Sequence, residues 1–454
     1  MSRVMSSAKR RVKKRTTTRS WGRRSLALAG TATALAVLAG CGGGGGSDAG
    51  EGGPVTITYW GWTKGTEQTV DRFNATHDDI TVKYEEIPAG GAGGYAKISN
   101  AVKAGNAPDL VSIEYPSLPE FVSQGALKDI SPYVTGALKK KLLPQAVELT
   151  TLGGRNWAVP FDAAPQMYYY RKDFFDRHKI KVPKTWADFR TAAAAAKKAD
   201  PKARIGTFFP DDPTTFEAMV WQAGARWFAT QGDAWKVDTG DPATKKVTAY
   251  WQGLLDDGLI NSATSFSPGW THALKAGDTV GYLGASWGAG VLKGLVPDQS
   301  GKWAAAPMPT WDGKPAGGML GGSTWAVTKD SEQAAAAVKF ATWMSTSPDA
   351  VKARLSSGES SAYPAAKALR PVAKKAFDAR FYGDLDLFGL FDRSAAAIGQ
   401  HWAWGPTGGT TNAALKDAFG KAADGDGTLA DAVRAAEDAT VREMHKRGLK
   451  VAGR

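Results

Sequence analysis

Hydrophobic and polar positions alternate with period two along Val55-Thr56-Ile57-Thr58-Tyr59, a pattern that predicts a β-strand. Helical spacing follows, with Val70 and Phe73 three apart, and a second strand places Ile80, Val82 and Tyr84 on one face. A helix from about Tyr95 carries Ile98, Ala101 and Val102 and stops at Gly105-Asn106; Asp109 to Ile113 then reads as a buried third strand. The order βαβαβ predicts an α/β fold whose sheet is mainly parallel, with right-handed crossovers. In such sheets ligands sit beyond the carboxyl ends of the strands. Those ends carry Trp60, Gly61 and Trp62 after the first strand, and Glu114 and Tyr115 after the third. Further along, Thr185-x-x-Asp188 and Thr428-x-x-Asp431 resemble capping boxes opening Ala-rich amphipathic helices.

The chain before Val55 follows a different logic. Ten basic residues and no acidic ones lie between Met1 and Arg24, and Ser25 to Gly40 is uncharged and rich in Leu, Ala and Val. A basic segment followed by an apolar one shorter than the roughly 20 residues of a spanning helix reads as an export signal. It ends in Leu38-Ala39-Gly40-Cys41, which looks like a bacterial lipobox, so residues 1–40 are expected to be removed and Cys41 to carry lipid. Arg23-Arg24-Ser25-Leu26 also resembles a twin-arginine export motif. Cys41 is the only cysteine, which excludes an internal disulfide and a cysteine metal cluster. The stretch from Gly42 to Gly53 is almost all Gly, a flexible tether for a body held above a membrane. The net charge is +13; without the leader about +3 remains, giving the body no global bias toward nucleic acid.

Several phrases in the body are recognisable in order. They are Ile57-Thr58-Tyr59-Trp60-Gly61-Trp62, Ala104-Gly105-Asn106-Ala107-Pro108-Asp109-Leu110 and Gly125-Ala126-Leu127-Lys128-Asp129-Ile130, then Ala158-Val159-Pro160-Phe161-Asp162 and Tyr169-Tyr170-Arg171-Lys172-Asp173. Val182-Pro183-Lys184-Thr185-Trp186-Ala187-Asp188-Phe189 and Gly321-Gly322-Ser323-Thr324-Trp325-Ala326-Val327 complete the set. Their order and spacing resemble the family 1 extracellular solute-binding proteins of bacterial ABC importers, the group that includes the maltose-binding protein. The resemblance implies two α/β lobes of the periplasmic-binding-protein type (class II), joined by a hinge the chain crosses several times. Carried over, 54–163 and 315–365 form lobe one, and 164–314 and 366–454 form lobe two. It further implies a monomer, outside the cytoplasm and anchored through Cys41, that captures a sugar and delivers it to an ABC permease without a cofactor.

The ligand class has independent support in the chain's 17 Trp, several beside Gly or Pro: Trp60-Gly61, Gly269-Trp270, Trp287-Gly288 and Trp404-Gly405-Pro406. A pyranose has an apolar C–H face and a rim of hydroxyls, matched by a rigid aromatic plate with a few carboxylates. Most Trp in any protein fill core, so the candidates are those where motif and loop position agree. They are Trp60, Trp62, Tyr115, Trp287, Trp325 and Trp402 for stacking, Glu114 and Asp162 as hydroxyl acceptors, and Gly321, Gly322 and Ser323 for close backbone approach. Trp221 and Tyr363 form a second tier. Asp109 is assigned to structure, as a turn-fixing carboxylate.

Two enzyme readings compete. Gly284-Ala285-Ser286-Trp287-Gly288 fits the nucleophile-elbow pattern G-x-S-x-G, and Asp384, Asp386 and His401 follow in the order an esterase triad needs, but no oxyanion segment of the HG type precedes it. A glycoside hydrolase also presents aromatics and carboxylates, yet needs two carboxyls about 5 to 9.5 Å apart across the bond. The five His lack metal-site spacing and no G-x-x-x-x-G-K-[ST] is present, so ATP hydrolysis belongs to another subunit. Gly90 to Gly94 reads as a flexible loop beside the cleft.

Overall fold

The computed structural model describes residues 53–356, 358–383 and 385–453. The leader, Cys41 and most of the Gly-rich tether lie outside the described residues. The body, Gly52–Arg454, forms one compact unit. The predicted βαβαβ opening is present as β1 (Val55–Gly61), α1 (Thr66–Asn74), β2 (Ile80–Glu86), α2 (Gly94–Ala104) and β3 (Leu110–Glu114). β1 pairs in parallel with β2 and with β3. Its alternation is real: Ile57 and Tyr59 face the core while Val55, Thr56 and Thr58 are exposed.

The sheet then departs from an all-parallel plan. Strand Ser323–Val327 returns from far along the chain and lies antiparallel between β3 and Ala158–Pro160. Asp109 explains how the start of β3 is held: it accepts from the Thr58 N–H and hydroxyl at 2.8 and 2.9 Å, and from the Ser331 hydroxyl at 2.7 Å. One buried-edge carboxylate thus ties three distant segments, the structural role expected of it.

A second sheet is three-stranded and wholly antiparallel, with Gln166–Arg171 between Gly281–Ala285 and Trp303–Pro307. The chain passes between the two sheets in segments laced together by hydrogen bonds. Asp162–Ala163 pairs antiparallel with Tyr363–Pro364, Gln166 N–H donates to the Gly318 carbonyl at 3.2 Å, and Leu320 N–H donates to the Ala164 carbonyl at 3.0 Å. This multi-strand crossing is the hinge of a two-lobe fold.

Both Thr residues cap their helices, but only the first forms the reciprocal capping box. The Thr185 hydroxyl accepts from Asp188 N–H at 3.1 Å while Asp188 accepts from Thr185 N–H at 2.9 Å, opening Trp186–Ala199. The Thr428 hydroxyl likewise accepts from Asp431 N–H at 3.1 Å, at the start of Leu429–Lys446. That last helix and Gly408–Ala423 pack on each other and on Pro213–Gln222 and Pro242–Asp256, with Phe419 5.1 Å from Phe216. They also reach the helix after β3: Glu120 of α3 (Leu118–Ser123) accepts from Gly409 N–H at 2.6 Å and pairs with Arg447 at 3.0 Å. The Gly90–Gly94 segment is more ordered than a flexible loop: Gly90–Ala92 forms a 3-10 turn and Gly94 opens α2.

Candidate functional site

Trp62 and Glu114 lie at the carboxyl ends of β1 and β3, where a parallel sheet receives its ligand, and Glu114 reaches the crossing strand at Gly321. Glu114 accepts from the Tyr95 hydroxyl at 2.8 Å, and Tyr95 packs edge-on against Trp62 with centroids 5.7 Å apart. Tyr95 sits in the first turn of α2, directly after the Gly90–Gly94 run, so the glycines place a ring where they were read as loop.

Opposite them stands Trp287, at the start of the helix after Gly281–Ala285. Its indole N–H donates to the Leu320 carbonyl at 2.8 Å, which fixes the ring against the crossing strand. Between the two groups runs Gly321-Gly322, both with left-handed backbone (φ 73 and 92). A Cβ on Gly321 would lie 3.3 Å from Glu114 Oε1 and 3.6 Å from Trp287 Nε1, and one on Gly322 would sit 3.0 Å from the Tyr115 ring. Glycine is required twice over, by conformation and by space. The bare backbone at Gly321 runs between the carboxylate and the indole and leaves a narrow slot there.

The electrostatics of this slot are acidic. Burial pushes the Glu114 carboxyl up to about 7, the Tyr95 hydrogen bond opposes the rise, and the charges of Asp212 and Asp162 add to it. Asp212 immediately precedes Pro213–Gln222 and accepts from the hydroxyls of Thr214 and Thr215, and burial raises it as well. Glu217, on the next turn, is 3 % exposed and is pushed up to about 8 by burial and by Asp212. Asp162, in the hinge, is raised to about 6 by burial, against the Ser323 N–H that it accepts at 2.6 Å.

The remaining predicted residues are placed elsewhere. Trp325 is completely buried between Tyr59 (5.6 Å) and Phe161 (4.7 Å) in the first sheet's core, so the expectation that it stacks on a ligand is corrected: no ring face is open. Tyr115 and Tyr363 are corrected for the same reason; both are fully buried, with the Tyr115 hydroxyl donating to the Asp162 carbonyl at 2.9 Å and the Tyr363 hydroxyl donating to Asp392. Ser323 and Asp162 bond one another and hold the hinge. Trp60 packs against the α2 side of the sheet with Lys97 Nζ 4.5 Å over its ring. Trp221 and Trp402 stack on each other, 5.4 Å apart and 7° from parallel, each only 4 % exposed; they brace the C-terminal segment.

Ser286 is completely buried and its hydroxyl donates to the Ala163 carbonyl at 3.3 Å, whereas an elbow nucleophile stands exposed above its sheet. His401 is exposed, and Asp384 lies outside the described residues.

The profile of the bacterial extracellular solute-binding proteins matches residues 31–351. The chain belongs to that family. Among similar proteins is the lactose-binding protein of Rhizobium radiobacter, 28% identical over 303 residues, 63% of this chain and 69% of that one. In structure, the solute-binding chain resembles the galacto-N-biose/lacto-N-biose I-binding protein of an ABC transporter from Bifidobacterium longum, in complex with lacto-N-biose. That match has a TM-score of 0.80 at 27% identity and covers 88% of this chain and 100% of that one. It also resembles the ABC-transporter-associated binding protein of B. animalis subsp. lactis Bl-04, in complex with β-1,6-galactobiose: TM-score 0.78, 26% identity, 88% and 99% covered. These relatives are binding proteins and give no support to a hydrolase.

Sequence reading missed three groups: Tyr95, which donates to Glu114; the buried acidic pair Asp212 and Glu217, of which Asp212 acts on Glu114 by its charge; and Phe266, beside Trp287. Asp212-Pro213 is a helix-start signal that would have located the pair, since an N-terminal Pro and a preceding Asp mark a helix mouth. Phe266 lies in a run with no period, and only its three-dimensional neighbours distinguish it.

Proposed function

We propose that this protein is the extracytoplasmic capture subunit of an ABC importer for a sugar, binding without cleaving. The observation that carries the reading is the slot at Gly321, with Glu114 on one side and Trp287 on the other. An indole covers the apolar face of a pyranose while the carboxylate accepts from its hydroxyls, and the glycine backbone lets both reach the same ring. Both walls belong to different sheets, so a sugar between them gains contacts only when the lobes approach, and this differential contact favours closure. Asp212 adds acidic charge that acts on Glu114, with the buried Glu217 beside it. We assign 54–163 and 315–365 to one lobe and 164–314 with 366–454 to the other, with Cys41 as the lipid anchor and the protein acting as a monomer beside its permease.

The test is calorimetric titration of the purified protein with lactose, lacto-N-biose, β-1,6-galactobiose and maltose, followed by product analysis. Saturable binding of at least one saccharide with no cleavage supports the reading; turnover of any of them, or binding of none, refutes it. Metabolic labelling with radioactive palmitate tests the anchor: label retained in Cys41→Ser would overturn it.

A further inference from the structure

We propose that Phe266 is an outer saccharide platform at the lip of the slot, selecting longer saccharides over disaccharides. The inference rests on the sugar-capture reading and adds a residue and a length preference to it.

Phe266 has φ 52, a left-handed conformation that a bulky residue adopts only where its surroundings force it. The forcing groups are visible on both sides. Ser265 donates its N–H and hydroxyl to Asp211 at 2.8 and 2.7 Å, and Ser267 caps the next helix by accepting from Trp270 N–H at 3.2 Å. The single residue between these anchors cannot relax. The strain is spent on presenting a ring that is 40% exposed, one of three large hydrophobics so exposed among the described residues.

An isolated exposed Phe means little. This one stands against Trp287, with centroids 6.0 Å apart, and is propped from behind by Trp270 at 5.6 Å and Tyr282 at 6.4 Å. It therefore continues the aromatic wall of Trp287 outward from Gly321 and Glu114. Beside it lies a shallow, open depression lined by Phe266, Pro268, Thr271, His272 and Lys275, where Thr271, His272 and Lys275 supply donors for hydroxyls. A saccharide seated at Trp287 and extended by further units would lay them over Phe266 and into this depression.

The experiment compares lactose with a galacto-oligosaccharide of four units, by calorimetric titration of the purified wild-type protein, Phe266→Ala, Phe266→Gly and Phe266→Trp, with melting temperatures recorded alongside. Wild type should bind the tetrasaccharide more tightly. Phe266→Ala and Phe266→Gly should lose about tenfold in tetrasaccharide affinity and less than twofold for lactose, a selective stacking loss. Phe266→Trp should retain the preference. Phe266→Gly, which tolerates the backbone conformation, should melt within a few degrees of wild type. Equal losses for both lengths, or a wild type with no length preference, overturn the platform and leave sugar capture standing. A wild type that binds no saccharide overturns both, and an unchanged tetrasaccharide affinity in Phe266→Gly overturns the platform.

Discussion

Replacing Glu217 by Gln should flatten the dependence of stability on pH, and the size of the change follows from where Glu217 sits. The carboxyl is 3 % exposed, its Oε2 has no hydrogen-bond partner among the described residues, and the nearby charge acting on it is that of Asp212, of the same sign. Burial therefore favours the neutral acid and raises it from 4.5 to about 8. The sign follows from proton counting. Between the two values the folded state holds a proton that the unfolded state releases, so the stabilisation is complete below pH 4.5 and is lost as pH rises through about 8. Between pH 4.5 and 7 this one group should cost about 3 kcal/mol of stability. Glu217→Gln keeps the shape and cannot ionise. Urea unfolding of both proteins at half-unit steps from pH 4.5 to 8, without ligand, measures the difference directly. Glu114 and Asp162 also titrate in this range and Asp212 is raised by burial, but all three are common to both proteins, so the gap between the curves isolates Glu217 apart from its coupling to Asp212. Two parallel curves would refute the argument, since they would mean that the carboxylate is already compensated by groups such as bound water.

Trp325→Ala should destabilise by about 3 to 5 kcal/mol in chemical denaturation, the cost of emptying a fully buried indole site, because the ring fills the space between Tyr59 and Phe161. Trp287→Ala should weaken saccharide binding by about 2 kcal/mol, roughly thirtyfold in Kd by calorimetry, with a smaller effect on folding because the ring is only half-buried. Thr185→Ala should lower stability by about 1 kcal/mol in urea melts through loss of the reciprocal cap with Asp188. Arg447→Ala removes the charge pairing with Glu120, a contact between the last helix and α3; if that contact helps hold the observed arrangement, solution scattering without ligand should show a larger radius of gyration than wild type.

The legibility of this chain was uneven for physical reasons. The first sheet's parallel core could be read because each strand and helix there is contiguous and its periodicity is local: Ile57 and Tyr59 alternate within seven residues. The return strand Ser323–Val327 pairs with β3 across some two hundred residues, and nothing local in its uniformly buried sequence gives its direction. The same limit explains the site. Glu114 could be found because it ends a strand in a sheet whose ligand edge is known. Trp325 could not be separated from Trp287 by sequence, since both follow Gly and small residues; only the sheet decides that one indole points into the core between two rings and the other toward Gly321.

Features that cost stability converge on one place in this molecule. Phe266 holds a strained backbone, Gly321 and Gly322 hold left-handed backbone with no room for a side chain, and Glu114, Asp212 and Glu217 are carboxyls raised by burial. Two of these would be relieved locally by a simple change, glycine at 266 or amides for the acids, whereas Gly321 and Gly322 admit no side chain without strain. A sequence selected only for folding would not keep all of them within the same aromatic wall. The two sheet cores, with their fully buried Trp and Tyr side chains, supply the stability that lets them persist. A ligand that carries hydroxyls and an apolar face relieves several of these costs at once. Its hydroxyls would donate to an ionised carboxylate or accept from a neutral acid, and its apolar face would cover the exposed ring.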